Sequence, residues 1–417
     1  CYPALAEARC LQGLCRQFER EIEAQFFPDG TYQMASLNYQ RYVTEYLLTY
    51  LQLRGDLPSE RRGQLVDIAR RSVEYLAEFT DERGESLRFG DNDGAYLLRW
   101  GDVPRDNFGP LFLWAQSNCG AEIAKQYLPG AFELIAWMNQ FPLPAAGETQ
   151  MPVEAEFRRG GYWSYSDRRV HVSVRSGRRP PHGAGQADLL SFGLAVDGKP
   201  VVVQPGTGLY NGPLELRAYF RGALSHSGIR VDGREPMRSW GRFRYLRPAT
   251  GWGRVAARRD GWLAFVGRHT GFDGLGVTYR RAFLVLRESG IAVLDCLSGR
   301  GLHHVERGLH FKDPPNGLVV AGVGDFVPPE DSHLRYGRSP SYGEIVQSYL
   351  LVEEASRELP WMGLYYLGCG GEEVLAKSDG RTADLRVEDR EFCFFFREHM
   401  PVMAVSVNGE IELTEGP

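Results

Sequence analysis

HGAGQADLLSFGLAVDGKPVVVQPGTGLYNG at residues 182–212, followed by RAYFRGALSHSGIRVDG at 217–233, is the stretch that decides the fold. Two alternating apolar runs, SFGLAV and PVVV, flank a turn at Gly198-Lys199. Alternation puts successive side chains on opposite faces of a strand, so the stretch predicts a hairpin of long strands. Gln186, Asp188, Gln204 and His226 fall at the strand ends, where a catalytic centre can be assembled.

The same period extends outward from this hairpin. HVSVRSG from His171, AFLVLRESGIAVLDCL from Ala282, FCFFF at 392–396 and VMAVSVNGEIEL at 402–413 all read as strands. Gly-rich turns separate them and no convincing helix intervenes, which predicts a large antiparallel β-sandwich over 146–417. Before residue 150 the period is helical. Leu11, Leu14, Phe18, Ile22 and Phe26 form one stripe, ended by Pro28-Asp29-Gly30. Tyr39, Tyr42, Val43, Tyr46, Leu47, Tyr50 and Leu51 form a second. A third helix is expected from Ser59 as N-cap, carrying Leu65, Ile68, Ala69, Val73, Leu76 and Phe79. Two or three more helices fit between Phe108 and Phe141, and FPLPAAGETQMP at 141–152 reads as a linker. The chain is therefore expected to be a multidomain α+β protein, helical over 1–145 and β over 146–417.

Composition narrows the function classes. The 417 residues suffice for two cores, and no apolar run approaches the length of a membrane span. A net charge of −5 without a basic block gives no support for nucleic-acid binding. Lys occurs only at 125, 199, 312 and 377, so nearly all cations are Arg. Arg forks suit carboxylates and sulfates, although a biased codon usage would give the same excess. The seven cysteines form no CxxC pair and read as buried thiols, a Cys10–Cys15 disulfide being the minor alternative. The chain opens at Cys1 inside an amphipathic pattern, so further sequence is expected ahead of it.

Three segments offer chemistry. In ASLNYQRYV, at 35–43, a helix presents Asn38 and residue 41, or Tyr39 and Tyr42, on one face. Asn38 and Gln40 can hold a carboxylate, whereas a plain helix would bury Tyr39, Tyr42 and Tyr46 and use Asn38 in a turn. In FGDNDGAYLLRW, at 89–100, Asp91, Asn92 and Asp93 could bind calcium, but EF-hand spacing is absent and Asx turns explain them equally. The opening stretch supplies His182, Gln186, Gln204 and His226, then Tyr210, Arg217, Tyr219 and Arg221. The two arginines could grip carboxylates bidentately or be ordinary surface charges. His303-His304 lacks carboxylates at metal spacing and reads as strand surface.

These segments together resemble the heparinase II/III superfamily, bacterial lyases of uronic-acid polysaccharides. The family run GHxHxD, then Asp-Pro-Gly-Thr, then AHNT, is matched here with Ala184 and Gln186 at the two His positions, Gln204 at the Asp, and His226 retained. ASLNYQRYV resembles the family's SxNYHRxV, with Gln40 in place of His, and FGDNDG resembles its GDNDxG loop. LDCLSGRGLHHVERGLHF, ending at Phe311, extends the likeness, which covers the chain from about Phe18 to His310.

The resemblance implies an (α/α) toroid, here lacking its first hairpins, before the sandwich. It implies β-elimination on an acidic polysaccharide or oligosaccharide, in a bacterial periplasm or cell envelope. Tyr96 would be the acid and base, and Asn38 and Gln40 would neutralise the carboxylate. His226 would support the site, and His182 could swing in as a substitute base. Tyr39, Tyr210 and Tyr219 would stack on sugars. The family zinc would be lost, its ligands replaced by an amide network of Gln186, Gln204 and His226, and no other cofactor is expected. Two other readings stay open: a glycan-binding or polysaccharide-assembly protein without turnover, and hydrolysis by Asp91 or Asp93 with Asp188.

Overall fold

The computed structural model describes residues 9–81, 83–98, 103–104, 106–121, 123, 153–177, 185–315, 318–322, 337–370, 373–388, 390–397, 400–407 and 410–413. The chain divides into two compact units, Cys1–Gln150 with Phe157–Gly160, and Met151–Glu156 with Gly161–Pro417. The linker expected at 141–152 lies outside the described residues.

The first unit contains helices α1 (Arg9–Gln25), α2 (Leu37–Leu53), α3 (Ser59–Glu78) and α4 (Gly109–Cys119). Ile22 is buried on α1, but Leu14 of the same expected stripe stays 62% exposed. On α2 the tyrosine stripe is not the buried face. Leu47, Leu48 and Leu51 are buried together with Asn38, Gln40, Arg41, Thr44 and Glu45, while Tyr46 is exposed and shares a hydroxyl hydrogen bond with Tyr42. Buried polar groups require partners, so this helix is held by a designed polar face as much as by an apolar one. Ser59 is the first residue of α3, whose cap position is Pro58 without a side-chain bond; Ser59 does not act as the N-cap.

The second unit stacks three antiparallel sheets. The first runs Val153–Phe157, Tyr162–Ser166, Val170–Arg175, Ser191–Val196, Lys199–Val202, Leu302–Phe311 and Tyr349–Glu358, with Ile229–Val231 also paired to Leu302–Phe311. The second runs Leu318–Ala321, Trp361–Cys369, Gly290–Ser298, Thr278–Leu286, Trp262–His269 and Gly251–Arg259. The third takes Val374–Ser378, Thr382–Val387, Arg390–Arg397, Met400–Val407 and Glu410–Leu413 in chain order. The six-stranded sheet lies in the middle. Phe265, Phe283, Val285, Ile291 and Val293 pack with Trp163, Val172 and Phe192 of the first sheet. Ala264, Leu284, Leu294 and Met362 point the other way and pack with Leu385, Phe392 and Phe394 of the third. Each such large side chain contributes roughly 1.5–3 kcal/mol by burial.

The quoted hairpin is present with a different turn. Val196 pairs with Lys199, so the two-residue loop is Asp197-Gly198, at φ 50° and 71°. Two positive φ angles describe the tight turn whose twist matches that of the strands, and Asp-Gly suits it. The expectation of no helix after residue 150 fails at α5 (Leu214–Arg221), which carries Arg217 and Arg221.

A charge network crosses the first core. Asp295 is fully buried and accepts from Arg281 Nε at 2.7 Å, Arg281 Nη2 at 3.1 Å and Tyr279 Oη at 2.7 Å. Arg307 links Asp295 to Glu353, which also bonds Arg357. Among the described cysteines Cys15, Cys119, Cys296, Cys369 and Cys393 are free thiols; Cys10 side-chain placement lies outside the described residues.

Candidate functional site

The candidate residues fall into two clusters, one in each unit. The first is built where α2 begins. Ser36 caps the helix by accepting from Tyr39 N at 3.1 Å and donates to Asp91 O at 2.6 Å, while Leu37 N donates to Phe89 O at 3.1 Å. The Phe89–Gly94 loop is thereby laid across the helix N-terminus. Gly90, at φ 78°, is required there, because a Cβ would stand 2.0 Å from Ala35 O. The loop is closed by its own side chains. Asn92 Oδ1 accepts from Gly94 N and its Nδ2 donates to Asp106 at 2.6 Å. Asp93 accepts from Ala95 N at 3.0 Å and from Tyr39 Oη at 2.7 Å. The bonds from the Gly94 and Ala95 amides are Asx turns, the bland alternative of the sequence, and the second Asp93 oxygen is taken by Tyr39.

Tyr96 follows this loop and is half-buried. The backbone is gripped on both sides of it. Arg41 donates to Ala95 O, and Glu45 accepts from Leu97 N at 2.6 Å. Arg41 and Glu45 are both buried and approach each other at 3.6 Å, with the guanidinium 5.2 Å from the centre of the Phe108 ring. Burial lowers the proton affinity of Arg41, against the opposing charges of Glu45, Asp106, Asp93 and Tyr96. Burial likewise raises the Glu45 carboxyl above the usual range, with Arg41 and the Leu97 and Leu98 amides opposing it. Sequence reasoning passed over Arg41 and Glu45. Their signal was the spacing 38, 41, 45, one polar line along a helix.

Arg41 also donates to Asn38 Oδ1 at 3.0 Å, which leaves the Asn38 amide nitrogen as a buried donor with no partner. Asn38 and Tyr96 are thus brought together through Arg41. Gln40 is not part of this group, which corrects the expectation that it holds a carboxylate. Its Oε1 accepts from Tyr32 N at 3.0 Å, and its Nε2 donates to Gly30 O at 2.7 Å and to Ser72 Oγ at 2.9 Å. It fastens the turn after α1 to α2 and α3.

In the second unit His226 is fully buried on the short turn Leu224–His226. Its Nδ1 lies 2.6 Å from Gln204 Oε1 and its Nε2 lies 3.1 Å from Phe220 O. Gln204 Nε2 donates to Phe192 O at 2.8 Å, and Gln186 Nε2 donates to Gly206 O at 2.9 Å. A zinc ion does not fit this set. Two neutral amides and an imidazole with both nitrogens engaged offer neither the charge nor the free lone pairs that zinc requires. With both nitrogens engaged inside the fold, His226 can brace a site but not exchange protons with substrate.

Arg217 and Arg221 are neither substrate forks at a surface nor surface charges; both are 2% exposed. Arg217 donates to Arg242 O at 3.2 Å and Arg221 to Gly241 O at 3.2 Å. Their guanidinium groups stack on Tyr210, at 5.0 Å, and Tyr245, at 4.2 Å. They dock the small hairpin of Ser239–Trp240 and Arg244–Tyr245 onto α5. Tyr210 and Tyr219 are half-buried; Tyr210 N donates to Tyr342 Oη at 3.1 Å and Tyr219 Oη to Gly337 O at 3.0 Å. His182 lies outside the described residues. Asp188, considered for hydrolysis, is fully buried and ion-paired with Arg175 at 3.0 Å. His304 does meet carboxylates, contrary to the sequence reading. Glu306 and Glu354 bring ligand atoms within 4.8 Å of its ring, but Arg230 already forks Glu306.

Comparison with known proteins adds a family. Residues 150–409 match the family model described as heparinase II/III-like, C-terminal. No curated protein matches the chain in sequence. Among solved structures it is similar to a heparinase III, with TM-score 0.64 and 14% identity over 95% of this chain and 62% of that one. It is also similar to heparan sulfate lyase HepC from Pedobacter heparinus, with TM-score 0.61 and 14% identity over 95% of this chain and 60% of the other. The chain therefore spans less than two thirds of the length of these relatives, and identities this low carry the fold alone.

Proposed function

The chain belongs to the heparinase II/III-like family, and from that premise we propose that it is a polysaccharide lyase cleaving a uronic-acid glycan by β-elimination. The observation that carries this reading is the buried, unpartnered amide nitrogen of Asn38, tied through Arg41 to the segment bearing Tyr96. A uronate carboxylate is the acceptor that this donor lacks. Neutralising that carboxylate is what makes the proton at C5 removable, because charge develops on it as the proton leaves. Arg41 stands behind Asn38 and reinforces it. Tyr96 then exchanges protons: as phenolate it takes the C5 proton, the C4–O4 bond breaks as the C4–C5 double bond forms, and the phenol returns the proton to the departing oxygen. Tyr39 offers a ring beside this group for a sugar face.

In this reading the helical unit is part of an (α/α) toroid and the stacked sheets are the family's β-sandwich. The substrate is an acidic glycan, met in a bacterial periplasm or cell envelope, and no metal takes part. The test is incubation with a panel of uronic-acid polysaccharides while recording the ultraviolet absorbance of unsaturated uronate. Tyr96→Phe should reduce its formation about 100-fold or more, within the range for loss of a general acid–base group. Absence of the chromophore with every acidic glycan removes the lyase reading.

One observation favours a second reading, a glycan-binding or polysaccharide-assembly protein without turnover. His226, the retained histidine of the β unit, has both nitrogens engaged inside the fold. Oligosaccharide binding that Tyr96→Phe leaves unchanged, without product, would select it.

A further inference from the structure

The middle sheet carries a cationic row that neither cluster uses. Arg268 and Arg280 are direct cross-strand partners. Trp252 is opposite Arg268 on the other side, and Cys296 is opposite Arg280. The row lies on the face that carries Val266, Ala282 and Leu294 toward the third sheet. The Arg268 guanidinium sits 4.8 Å from the centre of the Trp252 ring.

Like charges directly opposite on adjacent strands repel, and a sheet normally offsets them with a carboxylate. Here none is supplied: among the described residues no acidic side chain bonds or pairs with either arginine. One position along, Arg281 shows the usual solution, with its Nε and Nη2 forked by Asp295 and its Nη1 donating to the Leu190 and Ser227 carbonyls. Arg268 Nε, Arg280 Nε, Arg280 Nη1 and the neighbouring Ser298 Oγ are all buried without a partner. Orphaned buried groups are rare in native proteins, and four in one patch call for an explanation. All four can donate, so the missing component is an acceptor with several oxygens and negative charge. Both arginines are only half-buried as residues, so the row is not sealed from solvent.

We propose that Arg268 and Arg280, with Ser298 beside them and Trp252 fixing Arg268, form a binding site for an oxyanion carried on a sugar, the sulfate or carboxylate of an acidic glycan. The oxyanion follows from the row itself; its attachment to a sugar rests on the lyase reading. The site would bind the polymer through residues that take no part in the reaction.

The test is titration calorimetry of the full chain with inorganic sulfate, an unsulfated glucuronate oligosaccharide, a sulfated oligosaccharide and a neutral one, at fixed ionic strength. The site predicts binding of at least one anionic probe and none of the neutral one, with affinity at least 10-fold weaker in Arg280→Gln and in Arg268→Gln. The two anionic saccharides separate carboxylate from sulfate. Without ligand, Arg280→Gln should melt no lower than the wild type, because it removes a like charge. If it does not fold, Arg268→Lys keeps the charge, loses the fork and should still weaken binding. Equal affinity in wild type and variants, or no binding of any anionic probe, overturns the site. Binding through Arg280 without unsaturated product leaves this site and removes the lyase. Turnover with unchanged binding in Arg280→Gln does the reverse.

Discussion

A carboxamide has one acceptor and two donor hydrogens, and Gln40 uses them within the fold on Tyr32, Gly30 and Ser72. Gln40→Ala should therefore lower unfolding free energy by about 2–4 kcal/mol, since it orphans buried backbone groups. Urea denaturation would measure this, and the activity per folded molecule should change little. Asn38 behaves oppositely. Asn38→Ala loses one internal bond and the donor meant for substrate, so stability should fall by about 1 kcal/mol while kcat/KM falls about 10- to 100-fold. Equal behaviour of the two variants would contradict the assignment. The helical repeat already separates positions 38 and 40 by about 200°. What the sequence did not disclose is that both of these sides are buried and what each one meets there. Both residues are polar, and the tyrosines drew the apolar stripe to the wrong face.

At the scale of elements, α2 acts through residues 95–97 as well as through its own side chains. Arg41 and Glu45 hold the backbone on both sides of Tyr96. Glu45→Ala releases one side, and a displaced catalytic group can cost about 100-fold. The expected outcome is a fall in kcat with KM nearly unchanged; a change confined to KM would show that the grip serves binding instead. Helix α5 gives a second prediction. Arg221→Ala removes the cation between Tyr245 and the Gly241 carbonyl. The hairpin at 239–245 should loosen, so trypsin should cut at Arg242 or Arg244 faster than in the wild type. This helix was legible in part: Pro213 precedes it, Glu215 lies in its first turn and Arg221 in its last. Eight residues between strands were too few for the periodicity to show.

For the whole molecule, burial sets the response to acid. It holds His269 down to about 3 and His310 down to about 4. Unfolded, each would titrate near 6.5. A histidine with a depressed folded value is neutral when native, and the unfolded chain takes up its proton first. Stability is thus complete above about pH 6.5 and falls as pH drops toward 4, by about 1.4 kcal/mol per pH unit for each group. Urea midpoints between pH 7 and 4.5 would show this slope, and His310→Gln should flatten it. Asp295→Asn should cost about 3–5 kcal/mol at neutral pH, because it leaves Arg281 buried without its counter-charge. The stack of three sheets was only partly legible. Strands covered on both sides lose alternation, and AFLVL and GIAVL are continuous apolar runs for that reason. The departure was visible, but nothing local says what covers the second face.

That second cover has a consequence for synthesis. The middle sheet is complete once residue 369 has emerged, while its outer partner comes from 374–413, the last of the described chain to be made. Until then Ala264, Leu284, Leu294 and Met362 form an open greasy face on an otherwise assembled scaffold, a state in which nascent chains associate with one another. A chain stopped near residue 370 should keep its first core and accumulate as aggregates, so the closing meander works as a solubility seal.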